Sequence, residues 1–170
     1  RSTSGGIVKI RTAFDDERFD QDADGDGIPN DEEGFSLEGD HQDSDGDEIP
    51  DYLDIDDDND NVSTSREIVT LANDPTTDGY RDTDEDGVPN YLAPDDDGDG
   101  APTRFEINQD DFEERRLDPA LNVNDEGIPH YLNEAILTSF EHDEHVSHDI
   151  NRIYRSVITL ENLTFENQDG

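Results

Sequence analysis

Cysteine, methionine and tryptophan are all absent from the 170 residues. Without cysteine no disulfide can brace the chain and no thiolate can hold a metal, and the redox compartment is not legible. Cations are scarce: 11 Lys and Arg stand against 49 Asp and Glu, a formal net charge of −38. That balance excludes nucleic acid and anionic membrane as partners, because both demand a basic face. No apolar run approaches the ~20 residues of a membrane span, so no direct membrane insertion is expected. Hydrophobic residues make up 28% of the chain and aromatics 7%. Low hydrophobicity with high net charge is a signature of disorder, since little apolar burial offsets chain entropy. With no signal peptide and no methionine, the chain reads as a mature or excised piece of a longer protein. Its length suits one domain or one array of small modules.

What the chain does have is order among its acids. "DSDGDEIPDYLDIDDDNDNVSTSREI" (Asp43–Ile68) aligns without gaps on "DTDEDGVPNYLAPDDDGDGAPTRFEI" (Asp82–Ile107), with half of the positions identical. A third, eroded copy begins at "NVNDEGIPHYLNEAI" (Asn122–Ile136). Acidic tails are compositional and seldom keep register, whereas a period of this length signals structural modules.

Each copy contains a recognisable loop pattern. In the stretch from Asp22 to Glu33, Asp22, Asp24 and Asp26 fall at positions 1, 3 and 5, Gly27 at 6, Ile28 at 7, Asn30 at 9 and Glu33 at 12. This is the spacing D-x-[DN]-x-[DN]-G-x5-E of a calcium loop. Alternate carboxylates converge, glycine permits the sharp turn, the carbonyl at 7 adds an oxygen, and the acid at 12 closes a shell of six to eight oxygens. Two further loops match well: Asp56, Asp58, Asp60, Val62, Thr64 and Glu67, and Asp95, Asp97, Asp99, Ala101, Thr103 and Glu106. In the former Asn61 replaces glycine at position 6, which a left-handed backbone tolerates.

Two more loops lie upstream of these. One uses Asp43, Asp45, Asp47, Ile49, Asp51 and Asp54, with Glu48 where glycine is expected. The other uses Asp82, Asp84, Asp86, Val88 and Asn90, with Ala93 at position 12. The acidic run "DYLDIDDDNDN" is thus the end of one loop fused to the start of the next. A sixth candidate, Asn122, Asn124, Glu126, Gly127, Ile128, His130 and Asn133, has lost most of its charge, and weak binding or none is expected there. Magnesium fits less well than calcium, because it demands stricter octahedral geometry and dehydrates reluctantly.

Proline at position 8 (Pro29, Pro50, Pro89, Pro102) suits a turn and hinders immediate continuation into a helix, unlike an EF-hand. Asp-Gly-Asp-Gly-Ile-Pro and Asp-Gly-Val-Pro-Asn-Tyr-Leu resemble the thrombospondin type 3 repeat family over about residues 20–133. The resemblance implies aspartate-rich calcium loops strung along an extracellular chain. That family's usual cysteines are missing here. The Ile-Pro-x-Tyr-Leu variant resembles tails of bacterial surface lipoproteins, some of which carry an FKBP-type prolyl isomerase domain.

Between the loops, Thr64-Ser-Arg-Glu67 and Thr103-Arg-Phe-Glu106 each read as a capping box. Tyr52-Leu53, Tyr91-Leu92 and Tyr131-Leu132 are expected to make small apolar contacts between modules. "IVKIRTAF" (Ile7–Phe14) and "IYRSVITLENLTFEN" (Ile153–Asn167) read as strands bracketing the acidic zone. Two strands alone are marginal and their edges invite pairing, so a larger or intermolecular sheet is expected. "YLNEAILTSF" places Leu132, Ile136 and Phe140 on one helical face. His142, His145 and His148 read either as a polar connector or as a transition-metal site. Asn61-Val-Ser63 and Asn162-Leu-Thr164 match the glycosylation sequon.

The expected organisation is an N-terminal β segment (1–19), a calcium-binding array (20–133), and a helix with a C-terminal β segment (134–170). The expected fold is a mostly irregular calcium-loop array with short helices, flanked by strands. No nucleophile elbow and no sugar cleft is legible, and catalysis is not expected. The favoured function is an extracellular or cell-surface structural module, a spacer, stalk or assembly element rigidified by about five calcium ions. It allows a homo-oligomer or larger surface assembly through the strands. The alternative is an accessory segment of a surface enzyme such as a prolyl isomerase lipoprotein.

Overall fold

Aspartate side chains, more than helices or sheets, organise residues 21–147, which are the residues described by the structure, a computed structural model. All of them fall in one unit. The strands expected at Ile7–Phe14 and Ile153–Asn167, with His148 and Asn162, lie outside the described residues. The backbone is mostly irregular, with short helical turns and one small antiparallel sheet. No helix among the described residues is long and apolar enough to cross a membrane.

The regular elements follow the sequence pattern. Single 3-10 turns form at Asp51–Leu53, Asn90–Leu92 and His130–Leu132, each directly after the proline at position 8. Pro50, Pro89 and Pro129 have φ of −68°, −62° and −58°, so the ring sits at the N-cap, where a missing N–H costs nothing. Proline therefore permits one helical turn to follow at once and does not stop it. Helix α1 (Thr64–Glu67) is likewise a single turn. Strands β1 (Thr76–Thr77) and β2 (Tyr80–Arg81) form a hairpin around Asp78-Gly79, where φ is +53° and +98°. Positive φ at both central residues is the requirement of the type I′ turn that Asp-Gly satisfies.

The two capping boxes expected at Thr64 and Thr103 are not formed. The N-caps there are Ser63 and Pro102, without side-chain caps, because both threonine hydroxyls turn back to close their own loops. A capping box does form at helix α2 (Gln109–Glu113), where Asn108 and Asp111 exchange side-chain-to-backbone bonds.

The helix expected after Leu132 is also absent. Residues 136–147 run without helical hydrogen bonding, and exposure alternates strictly: even-numbered residues turn inward and odd-numbered ones outward. A spacing of four satisfies a helix face and equally an extended chain with period two, and the extended form wins here. Its reason is docking. Phe140 N–H bonds the Phe105 carbonyl at 2.7 Å, and its ring packs on Phe112 at 5.1 Å.

Apolar contacts are small and local. Tyr52 packs edge-on against Phe35 and tilts against His41, both at 5.0 Å, and Tyr91 meets Tyr80 edge-on at 5.2 Å. The largest fully buried side chains are Ile28, Ile107, Glu33, Glu67 and Glu106. Three of those five are acids.

Candidate metal centres

One hydrogen-bond scheme builds all five acidic loops. The N–H of position 5 bonds the Oδ1 of position 3 at 3.0–3.3 Å, as Asp26 does to Asp24 and Asp60 to Asp58. The N–H of position 7 bonds the Oδ1 of position 5 at 2.6–2.7 Å. Each carboxylate at positions 3 and 5 thus gives its Oδ1 to the backbone, and the Oδ2 of Asp24, Asp26, Asp58, Asp60, Asp97 and Asp99 is left without a hydrogen-bond partner. Position 6 has positive φ whether it is Gly27, Glu48, Asn61, Gly87 or Gly100. Glu48, at +80°, accepts the conformation that glycine takes without cost.

Position 9 closes the loop. Asn30, Asp51 and Asn90 accept the N–H of position 2 on a side-chain oxygen at 2.7–2.8 Å, and Thr64 and Thr103 do so at 3.2 and 3.1 Å. Asp51 also accepts from the Ser44 hydroxyl at 2.7 Å. These side chains, expected as ligands, also fasten the ring through those bonds.

The loops divide into two classes. In those beginning at Asp22, Asp56 and Asp95, position 7 is buried (Ile28, Val62, Ala101) and so are Glu33, Glu67 and Glu106 at position 12. In those beginning at Asp43 and Asp82, Ile49 and Val88 are exposed and position 12 is a half-buried Asp54 or a buried, uncharged Ala93. Asn59 joins the two classes through a 2.8 Å bond to Asp45. Gly98 occupies the matching place in the next copy, where an added Cβ would stand 2.9 Å from Asp84.

Carboxylates gather in groups whose oxygens lie within 4.8 Å of one another: Asp22, Asp24 and Asp26; Asp43, Asp45 and Asp47; Asp82, Asp84 and Asp86; Asp26, Glu33 and Asp57; and Asp58, Asp60, Glu67 and Asp96. These clusters could hold metal ions. Two members, Asp57 and Asp96, stand at position 2, outside the ligand pattern. The signal for them was the unbroken triplet Asp56-Asp57-Asp58 and its counterpart Asp95-Asp96-Asp97, where the pattern requires only alternate acids.

No family model, curated protein or solved structure matches the chain. The site therefore rests on its own chemistry.

That chemistry is dominated by unsatisfied acid. Among the described residues, every buried side-chain oxygen or nitrogen without a hydrogen-bond partner is a carboxylate oxygen. They include both oxygens of Glu33, Glu67, Glu106, Asp57 and Asp96, and the Oδ2 of Asp24, Asp26, Asp58, Asp60, Asp97 and Asp99. Burial and neighbouring acids push Glu33 and Glu106 up to about 9 and Asp57 up to about 10. Burial, with Asp26 beside it, raises Asp24 to about 7; Asp58, Asp60, Glu67 and Asp96 are raised for the same two reasons. The arginines do not relieve this, because Arg66, Arg81, Arg115 and Arg116 pair with Asp118, Asp74, Glu144, and Asp111 with Glu114. Buried charge without a partner is among the costliest arrangements a fold can contain.

The remaining candidates are structural. Asn122 donates its side-chain amide to the Glu106 carbonyl, and Asn124 accepts from the N–H of Glu126 and Ile128. His130 bonds Thr138 at 3.0 Å. His142 is buried between Phe105 and Phe112, with one ring nitrogen at the Arg104 carbonyl and the other accepting from Glu144 N–H. His145 turns to Asn59 and Arg104 instead, so the two rings share no centre. Asn61, the sequon asparagine, is buried and exchanges bonds with Val146 N–H and the Glu144 carbonyl. Segment 140–146 is thus a docked strap, in which His142 and His145 face different partners.

Proposed function

We propose that the chain is an extracellular calcium-binding structural module, a spacer, stalk or assembly element that about five calcium ions make rigid. The observation that carries this reading is the set of buried carboxylate oxygens left without hydrogen bonds, facing the centres of loops with one common geometry. All the donors are hard oxygens, the set suited to calcium, and none is a thiolate. The ions would be held by the acids at positions 1, 3, 5 and 12: Asp22, Asp24, Asp26 and Glu33; Asp43, Asp45, Asp47 and Asp54; Asp56, Asp58, Asp60 and Glu67; Asp82, Asp84 and Asp86; and Asp95, Asp97, Asp99 and Glu106. Carbonyls at position 7 would complete the shells, and position 9 fastens them.

Bound calcium supplies the positive charge that the interior lacks, in place of an apolar core. Ten positive charges against −38 leave the surface acidic, which favours solubility and repels anionic partners. Loops of the extracellular class hold calcium with dissociation constants of about 10⁻⁴–10⁻³ M, which suits continuous loading outside the cell. The similarity to thrombospondin type 3 repeats supports the same reading.

Calorimetric titration of the metal-free full chain, with circular dichroism in calcium and in excess chelator, tests this. About five ions and a large spectral change on chelation are expected. One ion or none, or an unchanged spectrum, would overturn it.

A further inference from the structure

The triplets Asp56-Asp57-Asp58 and Asp95-Asp96-Asp97 each place an acid where the loop pattern needs none. The other three loops have Ala23, Ser44 and Thr83 at that place. The chain bends at both triplets, with Asn59 N–H bonding the Asp56 carbonyl at 3.1 Å, and the position-2 side chains group with the acids of a different loop. The position-9 threonine fixes this orientation, since Thr64 and Thr103 hold the N–H of Asp57 and Asp96.

Both outward acids end inside another loop. Asp57 meets Asp26 and Glu33 of loop 22–33, and Asp96 meets Asp58, Asp60 and Glu67 of loop 56–67, within 4.8 Å in each group. Asp57 and Asp96 are each only 1% exposed. Neither oxygen of Asp57 has a hydrogen-bond partner, and Asp96, with the Asn90 amide beside it, faces the three acids of loop 56–67. An ordinary surface aspartate would face water, and a structural one would be ringed by donors. These are ringed chiefly by other acids.

We infer that Asp57 and Asp96 are cation ligands donated across loops, Asp57 to the centre of loop 22–33 and Asp96 to that of loop 56–67. This rests on the proposed calcium binding and adds a direction to it. The ion in loop 56–67 orders the backbone that carries Asp57, and so favours filling of loop 22–33. The ion in loop 95–106 does the same for loop 56–67 through Asp96. Coupling between binding sites is reciprocal, so each loop also gains affinity from filling of the loop it reaches into. Apart from Asp96, which reaches into loop 56–67, the unpartnered oxygens of loop 95–106 come from its own Asp97, Asp99 and Glu106, and the third repeat offers Val123 where an acid would reach in. Loop 95–106 would bind with fewer charges and head the chain of coupling.

The test is calcium titration of the full chain, with ions counted by native mass spectrometry and affinities measured by calorimetry. It uses the wild type, Asp57→Asn, Asp96→Asn, and the exposed control Asp31→Asn. Each cross-loop variant should lose about tenfold or more in affinity at one site, at least the loss usual for disturbing a metal's surroundings. The control should match the wild type. A cross-loop variant that binds like the wild type, within about twofold, would overturn the inference while leaving the five-ion reading intact. A wild type that takes up no calcium would overturn both. If the variants fail to fold, a crystal structure of the calcium-loaded wild type decides. A carboxylate oxygen of Asp57 about 2.3–2.6 Å from the ion in loop 22–33 supports the inference, and an ion there that Asp57 does not touch refutes it.

Discussion

Removing calcium at neutral pH should unfold the acidic loops, and lowering the pH should then restore them. The sign follows from the buried acids. A carboxyl group raised in the folded state favours folding only below its ordinary value, and opposes folding as the pH climbs through the raised one. Glu33 and Glu106 are raised from 4.5 to about 9 and Asp57 from 3.8 to about 10, burial being the first cause in each. At pH 7 each glutamate then costs about 3 kcal/mol and Asp57 about 4 kcal/mol in the metal-free fold. Glu33 and Asp57 repel each other at one centre and share part of that cost, so the total is on the order of 7–10 kcal/mol. That equals the whole stability of an ordinary domain. Hydrogen exchange in chelator is the assay, read at the amides of Ile28, Val62 and Ala101, which bond Asp26, Asp60 and Asp99. Protection should be lost at pH 7 and regained near pH 4. In excess calcium the trend should invert, because protons then compete with the ion. General collapse of a neutralised chain would leave these amides unprotected. Full protection in chelator at pH 7 would show that the buried acids are satisfied in some other way, and the reasoning would fail.

Other substitutions probe separate parts. Glu106→Ala should remove about one calcium ion, whereas Glu126→Ala, on an exposed side chain of a loop with little charge, should remove none; ion counting by mass spectrometry distinguishes them. His142→Ala should release the strap, raising exchange at Phe140 and Val146 while leaving calcium stoichiometry unchanged; a lost ion would reveal a metal role for the histidine. Gly34→Ala should lower thermal stability by about 1–3 kcal/mol, an overpacking cost, because its Cβ would lie 2.7 Å from Gln42 Cβ at a φ of +72°. A melting temperature equal to that of the wild type would contradict that contact.

Loop spacing was legible because aspartate at alternate positions dictates local hydrogen bonds, which need no distant partner. Glu48 and Asn61 show how far the pattern governs the backbone: both adopt the turn in glycine's stead. What depended on contacts between segments was not legible. Thr64 and Thr103 carry the signature of caps, yet their hydroxyls serve amides seven residues away. Ile136 and Phe140 carry a helical spacing, yet the chain is extended because Phe105 and Phe112 are there to receive it. Asp57 and Asp96 looked redundant within their own loops, and only the neighbouring loop explains them. The Asp78-Gly79 hairpin had a short-range signal that the surrounding acidity masked.

On the proposed calcium binding, the two classes of loop would give the ion two duties. The deficit is created by buried acids without hydrogen bonds, among them Glu33, Asp57, Glu67 and Glu106, which places the structural burden on loops 22–33, 56–67 and 95–106. Loops 43–54 and 82–93 keep most of their acids in water and create little such deficit. Ions bound there would neutralise surface charge and brace the bonds, such as Asn59 to Asp45, through which these loops lean on the buried ones. On the proposed calcium binding, an interior made of glutamates instead of leucines makes rigidity conditional on the medium: the module would be stiff where calcium is plentiful and would lose its structure where calcium is withdrawn.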